Sequence, residues 1–156
     1  MINWKTVDWD NPDHRISRYF TVKEALWLPQ WNRMAYAGDG LDDHVKARIC
    51  ALAERLDVVR EFLGRPMIVH CWFRPKDYNA RVDGSLGSKH MSLGPWSAVD
   101  FHCELPGTKS IGEACATVRA AIQFKLEAWG LRCEDFDGPW VHLDDAPVVT
   151  RRFFRP

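Results

Sequence analysis

The longest hydrophobic repeat in the chain lies between residues 43 and 63. Apolar side chains recur there at intervals of four and three residues, at Val45, Ile49, Leu52, Leu56, Val59 and Leu63. This is the spacing of one face of an α-helix. Gly64 and Pro66 follow, and both residue types commonly end helices. The pattern therefore predicts a long helix with one face in the core.

Two further helices are indicated by capping boxes, in which a Ser or Thr and a Glu three residues later cap the first helical turn. The segment Thr21-Val22-Lys23-Glu24 predicts a short helix through about Leu28, because Pro29 follows. Ser110-Ile111-Gly112-Glu113 predicts a second helix. Its apolar face continues to Trp129, and Gly130 ends it.

Short apolar segments predict the strands. Residues 67–73 and 97–103 read as two buried strands, and shorter strands are expected around 131–133 and 140–143, with an edge strand near 151–154. The order of the elements indicates an α+β fold, in which helices flank a small, mostly antiparallel sheet.

Length and charge narrow the class of protein. The chain has 156 residues, of which 46% are hydrophobic and 27% charged, and no linker divides it. We expect one domain over residues 1–156. Lys plus Arg equals Asp plus Glu at 21 each, so overall charge does not favour a nucleic-acid partner. No apolar run approaches the roughly 20 residues that span a bilayer. We expect a monomer that does not insert into membranes.

The cysteines and the first ten residues indicate the cellular compartment in which the protein is made. Cys50, Cys71, Cys103, Cys115 and Cys133 form an odd set without a CxxC pair, which argues against a disulfide framework and a cysteine-built zinc site. The first ten residues contain acids where a signal peptide would have an apolar centre. We therefore expect synthesis in the cytoplasm without a signal peptide.

Three residues stand out chemically. Asp100 lies within the apolar run Ala98-Val99-Asp100-Phe101, and a carboxylate there needs a partner, because burying it alone is costly. His90 lies on a glycine-containing turn before this strand, and His142 lies in the later apolar strand. Two imidazoles and one carboxylate are a ligand set of catalytic zinc, which leaves one position for water. A strand histidine on its own is more often a satisfied core group, and the combination of the three residues is what points to a metal site.

The same segments carry a family resemblance. The chain resembles the zinc D-alanyl-D-alanine carboxypeptidase and phage endolysin family, which includes vancomycin-resistance-type D,D-peptidases and phage L-alanyl-D-glutamate endopeptidases and shares the fold of the hedgehog signalling domain. The matching motifs are Ile68-Val69-His70-Cys71-Trp72-Phe73-Arg74, Ser88-Lys89-His90, Ala98-Val99-Asp100-Phe101 and Trp140-Val141-His142-Leu143-Asp144. The resemblance covers roughly residues 15–145 and implies a hedgehog-like fold.

The resemblance also implies roles for individual residues. His90, Asp100 and His142 would hold Zn²⁺. Arg74 would bind a substrate carboxylate or carbonyl, for which a guanidinium is well shaped. Ser88 would orient the substrate, although a serine there is equally a turn former.

The general base is less clearly marked. Many family members carry an acid three residues before the last histidine, where this chain has Pro139. Asp137, five residues before His142, is the first choice, with Glu134 and Asp135 as reserves. A solvated acidic turn is the other interpretation of this segment.

A second departure concerns spacing, because His90 and Asp100 are ten residues apart, three more than is usual in the family. The ligands can still meet if the extra residues remain outside the strand. His102 could replace a ligand or hydrogen-bond the site. Asp144 could hold His142 or cap the following turn.

The resemblance implies a zinc peptidase that hydrolyses the stem peptides of peptidoglycan, as a D,D-carboxypeptidase or as an L-Ala-D-Glu-type endopeptidase. Synthesis without a signal peptide then suggests an endolysin that reaches the cell wall after phage-type release. The alternative is a non-catalytic wall-binding or phage structural module that retains the fold.

Overall fold

A computed structural model describes residues 2–155. The helices are α1 (Val22–Leu26), α2 (Asp43–Leu63), α3 (Lys76–Arg81), α4 (Ile111–Ile122) and α5 (Leu126–Trp129). The strands are β1 (Trp27–Leu28), β2 (Arg33–Met34), β3 (Ile68–Cys71), β4 (Ala98–His102), β5 (Arg132–Glu134), β6 (Val141–Asp144) and β7 (Phe153–Phe154). Short 3-10 helices connect several of these elements.

The main sheet has five strands in the order β3-β4-β6-β5-β7. All neighbouring strands are antiparallel except β5 and β7, which are parallel. Strands β1 and β2 form a separate two-stranded sheet. The predicted α+β class is confirmed. In the described part of the chain, no helix is long and apolar enough to cross a membrane.

Helix α2 forms as its hydrophobic repeat predicts. The side chain of Asp42 caps its first turn by accepting a hydrogen bond from the backbone N–H of Val45 at 2.8 Å. The helix ends at Gly64, whose φ of 63° lies in the left-handed region that glycine adopts readily. The predicted apolar face is buried in the core, at Val45, Ile49, Leu52, Leu56 and Val59.

Three local predictions differ from the structure. The helix expected from residue 110 to 129 is divided by a turn at residues 123–125, where the N–H of Lys125 bonds to the carbonyl of Ile122. The first predicted helix ends at Leu26, because residues 27–28 pair as β1 with β2. Helix α3 lies in a segment for which the sequence predicted no helix.

The sheet aligns three chemically distinctive residues in one row. Asp100 on β4 is paired with His142 on β6, and on its other side with Cys71 on β3. Residues directly opposite each other in antiparallel strands point to the same face. His90 comes from the 3-10 helix Lys89–Met91, which is fixed to the chain after β3 by a 2.9 Å hydrogen bond from the Arg74 N–H to the His90 carbonyl.

Candidate metal centre

Asp100 is the centre of the candidate site. Its Oδ2 lies 3.1 Å from Nε2 of His90, and its Oδ1 lies 2.8 Å from Nδ1 of His142. The centres of the two imidazole rings are 5.1 Å apart. The structure therefore brings together the three residues predicted as ligands, and the ten-residue spacing between His90 and Asp100 does not separate them.

The second nitrogen of each imidazole has its own partner. Nδ1 of His90 lies 2.8 Å from the carbonyl oxygen of Trp72, so it donates a proton there and leaves Nε2 free to bind a cation. Nε2 of His142 lies 3.3 Å from Oδ2 of Asp144. Outer hydrogen bonds of this kind orient histidines that bind metals.

Asp144 is itself held by a buried ion pair. Nε of Arg132 lies 2.7 Å from its Oδ1 and Nη2 lies 2.9 Å from its Oδ2, a two-pronged contact that fixes the carboxylate plane. Oδ1 of Asp144 also accepts from the Ala146 N–H at 2.9 Å. Asp144 thus contacts His142 and caps the following turn, the two roles that the sequence left open.

The buried carboxylate of Asp100 favours positive charge on the groups next to it. Burial alone would raise the pKa of Asp100, but the charge and hydrogen bonds of His90 and His142 hold it well below its usual range. Burial alone would lower the pKa of both histidines, yet Asp100 raises that of His90 well above the ordinary value. Hydrogen bonds to Asp100 and Asp144 raise the pKa of His142 to about 9. A divalent cation would satisfy the same carboxylate in place of the imidazole protons.

The donor set therefore fits zinc. Nε2 of His90, a carboxylate oxygen of Asp100 and Nδ1 of His142 are the atoms that would hold it, and all three belong to the ligand types that zinc prefers. The outer partners of both imidazoles are already in place.

These residues lie in an open cleft of about 470 Å³. The predicted substrate-binding residues Arg74 and Ser88 both line it. Nη2 of Arg74 lies 3.7 Å from Oδ2 of Asp100, and its Nη1 donates to Oδ1 of Asn79 at 3.4 Å. The remaining polar lining residues are Ser85, Lys89, Arg132, Glu134 and Asp144.

The three acids proposed as general base lie in different places. Glu134, at the end of β5, lines the cleft. Asp137 lines a separate surface pocket together with Glu113 and Arg119. Oδ2 of Asp135 accepts a hydrogen bond from Nε of Arg155 at 3.4 Å. Glu134 thus lines the cleft that contains the predicted ligands, whereas Asp137, the first choice from sequence, lies outside that cleft.

Two further residues complete the surroundings. His102 is paired with His70, and Nδ1 of the former lies 2.6 Å from Nε2 of the latter. The sequence did not single out Cys71 for the site. Its sulfur, one ring nitrogen of His90 and one carboxylate oxygen of Asp100 lie within 4.8 Å of one another. A signal for Cys71 could only have come from the strand register, since it is opposite Asp100 through an irregularity in β3.

Comparison with known proteins gives one finding on the family. The family model described as Peptidase M15 matches residues 25–144, most of the chain and all of the proposed ligands. No curated protein and no solved structure matches the chain. The match agrees with the resemblance found in the motifs and with the site built around Asp100. The chain belongs to the Peptidase M15 family and is a peptidase of the metal-dependent type.

Proposed function

We propose that the protein is a zinc peptidase that hydrolyses the stem peptides of peptidoglycan. The observation that carries this proposal is the nearly buried carboxylate of Asp100 between the imidazoles of His90 and His142, in the lining of an open cleft. A carboxylate and two imidazoles leave one position of a tetrahedral zinc site for water. The peptidoglycan substrate rests on the family resemblance.

Zinc, when bound, would lower the pKa of its water to about 7 and polarise a peptide carbonyl. The surrounding residues supply orientation. Trp72 and Asp144 fix the two imidazole rings, and Arg132 fixes Asp144. Holding the donors in advance means that no rearrangement is needed when charge develops on the substrate.

Arg74 is the proposed substrate-binding cation. Its guanidinium group lines the cleft, is only partly exposed and has three modest contacts, to Asp100 at 3.7 Å, to Asn79 at 3.4 Å and to the sulfur of Cys71 at 3.4 Å. Nitrogen atoms held this loosely can form closer hydrogen bonds to an arriving carboxylate or carbonyl. Ser88 and Lys89 border the same cleft, where they would contact the polar backbone of a peptide.

We assign the general base to Glu134. A base must lie within hydrogen-bond reach of the proton that it takes, directly or through one water molecule. Glu134 lines the cleft that contains the proposed ligands, whereas Asp137 lines another pocket. The assignment to Asp137 would require the turn between β5 and β6 to rearrange.

Purified cell walls and mass spectrometry test the proposal. Zinc-loaded wild-type protein should release peptides with new termini, and the position of these termini separates a D,D-carboxypeptidase from an L-Ala-D-Glu-type endopeptidase. His90→Ala should remove the activity, because it removes an imidazole ligand. Walls that stay intact with the zinc-loaded wild type would contradict the proposal.

A non-catalytic wall-binding module is the second candidate. The feature that favours it is Pro139, which occupies the position where many relatives carry an acid. Sedimentation of the protein with purified walls distinguishes the two functions. Binding of wild type and His90→Ala alike, with no released peptide from either, would favour the module.

A further inference from the structure

We propose that Asn79 is a positioning residue for the substrate, which acts by orienting the guanidinium of Arg74. The inference rests on the proposed function, because it concerns how the substrate-binding cation of that function is held. Asn79 is not among the residues that line the cleft, whereas Arg74 is. Any effect of Asn79 on the substrate would therefore pass through its neighbour.

The side chain of Asn79 is enclosed and hydrogen-bonded at both of its polar atoms. Asn79 lies on α3 and is only 2% exposed. Its Nδ2 donates to the carbonyl oxygens of Gly84 and Ser85, each at 3.0 Å. Its Oδ1 accepts a hydrogen bond from Nη1 of Arg74 at 3.4 Å. Because a buried amide loses free energy when its polar atoms are unpaired, these contacts fix the plane of the amide.

The loop of residues 83–88 therefore holds the amide, and the amide in turn holds the guanidinium. A backbone contact strengthens the first link, because the N–H of Gly84 donates to the carbonyl oxygen of Asn79 at 2.8 Å. Arg74 follows β3, so the loop and the guanidinium come from different parts of the chain. The Asn79 side chain is thus a bridge between two parts of the cleft wall.

The absence of charge on Asn79 suits this role. An amide oxygen gives the guanidinium a direction without neutralising it, whereas a carboxylate in the same place would form a strong ion pair with it. The other side-chain contacts of Arg74 are also long, at 3.7 Å to Oδ2 of Asp100 and 3.4 Å to the sulfur of Cys71. Arg74 is therefore held in a defined direction, and its charge is available to a carboxylate or carbonyl of the substrate.

The close approach of Gly84 to Asn79 provides a second observation. A Cβ atom at residue 84 would lie 2.1 Å from Oδ1 and 2.6 Å from Cγ of Asn79. Both distances are well below van der Waals contact, so an alanine there would push the amide away from Arg74. The φ of Gly84 lies outside the left-handed region, so its backbone conformation does not require glycine. Contact with the Asn79 side chain is the structural reason for a glycine at this position.

A double-mutant cycle tests the inference. Zinc-loaded wild type, Asn79→Ala, Arg74→Gln and the double variant are assayed on a synthetic stem peptide that contains both an L-Ala-D-Glu and a D-Ala-D-Ala bond. We expect Asn79→Ala to raise KM by about 5- to 10-fold with kcat little changed, because it weakens binding that is equal in the ground and transition states. In the Arg74→Gln background the same change should raise KM by less than about 2-fold, because no guanidinium is left to orient.

Gly84→Ala is an independent probe, because it changes neither residue of the pair. We expect it to raise KM as Asn79→Ala does, and to lose this effect in the Arg74→Gln background. Gly112→Ala is the matched control, because a Cβ atom on that residue of α4 would meet nothing closer than 3.8 Å. Its KM should equal that of wild type. Circular dichroism and metal analysis of each variant measure folding and bound zinc.

The outcomes separate this inference from the proposed function. If Asn79→Ala changes KM equally in both backgrounds, or lowers kcat at unchanged KM, the orienting role of Asn79 is overturned and the peptidase activity stands. An Arg74→Gln protein with the wild-type KM would also overturn that role, since Arg74 would then not bind the substrate. A zinc-loaded wild type that cleaves neither bond would contradict the proposed function, and this inference with it.

Discussion

The two faces of β4 differ in what holds their side chains in place. Val99 and Phe101 are fully buried in the apolar core, where close packing stabilises them. Asp100 and His102 alternate with them on the opposite face, where each depends on specific polar partners. One face thus contributes stability through removal of apolar surface from water. The other face holds a buried carboxylate that a metal ion could bind. Substitutions on the apolar face should therefore lower the stability of the fold, and substitutions on the polar face should lower metal binding.

The largest effect is expected from Asp100→Asn. This change removes the carboxylate to which both imidazoles are oriented, so we expect loss of bound zinc and a fall of hydrolysis to the metal-free background. Metal analysis and the release of wall peptides measure these two losses. A folded Asp100→Asn protein that retains both zinc and activity would break the distinction between the two faces.

The next effect concerns the acids between β5 and β6. Glu134→Gln should lower kcat by about 10²- to 10⁴-fold, the contribution of a positioned general base, while zinc binding is kept. The matched control is Asp137→Asn, for which we expect little change, because Asp137 lines a different pocket. The opposite ranking of the two variants would return the base to Asp137, the first choice from sequence.

The core face provides the contrasting experiment. Phe101→Ala should lower the free energy of unfolding by about 3–5 kcal/mol, because it leaves a cavity in the packed interior. Denaturant unfolding measures the loss. The protein that remains folded should bind zinc with the wild-type stoichiometry, since the altered side chain points away from the ligands. A loss of zinc at full stability would contradict this expectation.

A smaller effect is expected at the outer partners of the ligands. Arg132→Gln breaks the two-pronged contact to Asp144 and should weaken zinc binding by roughly 10- to 100-fold, as changes to such partners do elsewhere. Competition with a chelator of known affinity measures the change. Arg119→Gln is the control, because Arg119 is also buried but bonds to the Trp140 carbonyl instead. Equal zinc affinities in wild type and Arg132→Gln would remove the proposed orienting role.

Elements with a regular repeat could be predicted from sequence. The orientation of α2 on the core could be predicted, because the helix has one hydrophobic face to bury. Asp100 could be identified as a site residue for a related reason, because a charge in an apolar strand is costly without a partner. The family resemblance then identified His90 and His142 as its neighbours, and the structure brings these side chains together.

Features that depend on register and turn geometry could not be predicted. Cys71 lies opposite Asp100 only because the pairing of β3 shifts by one residue, and no local sequence pattern marks that shift. The direction in which the turn between β5 and β6 points Glu134 and Asp137 likewise depends on tertiary contacts. The turn between α4 and α5 contains neither glycine nor proline, and the apolar spacing is similar on both sides of it. The sequence therefore predicted one continuous helix there.

The short strand β7 has an influence beyond its size. The guanidinium of Arg132 lies 4.6 Å from the centre of the Phe154 ring, and β7 pairs with β5. A chain of contacts therefore leads from Phe154 through Arg132 and Asp144 to His142. Displacing β7, for example with an affinity tag fused close behind it, would loosen an imidazole in the centre of the cleft.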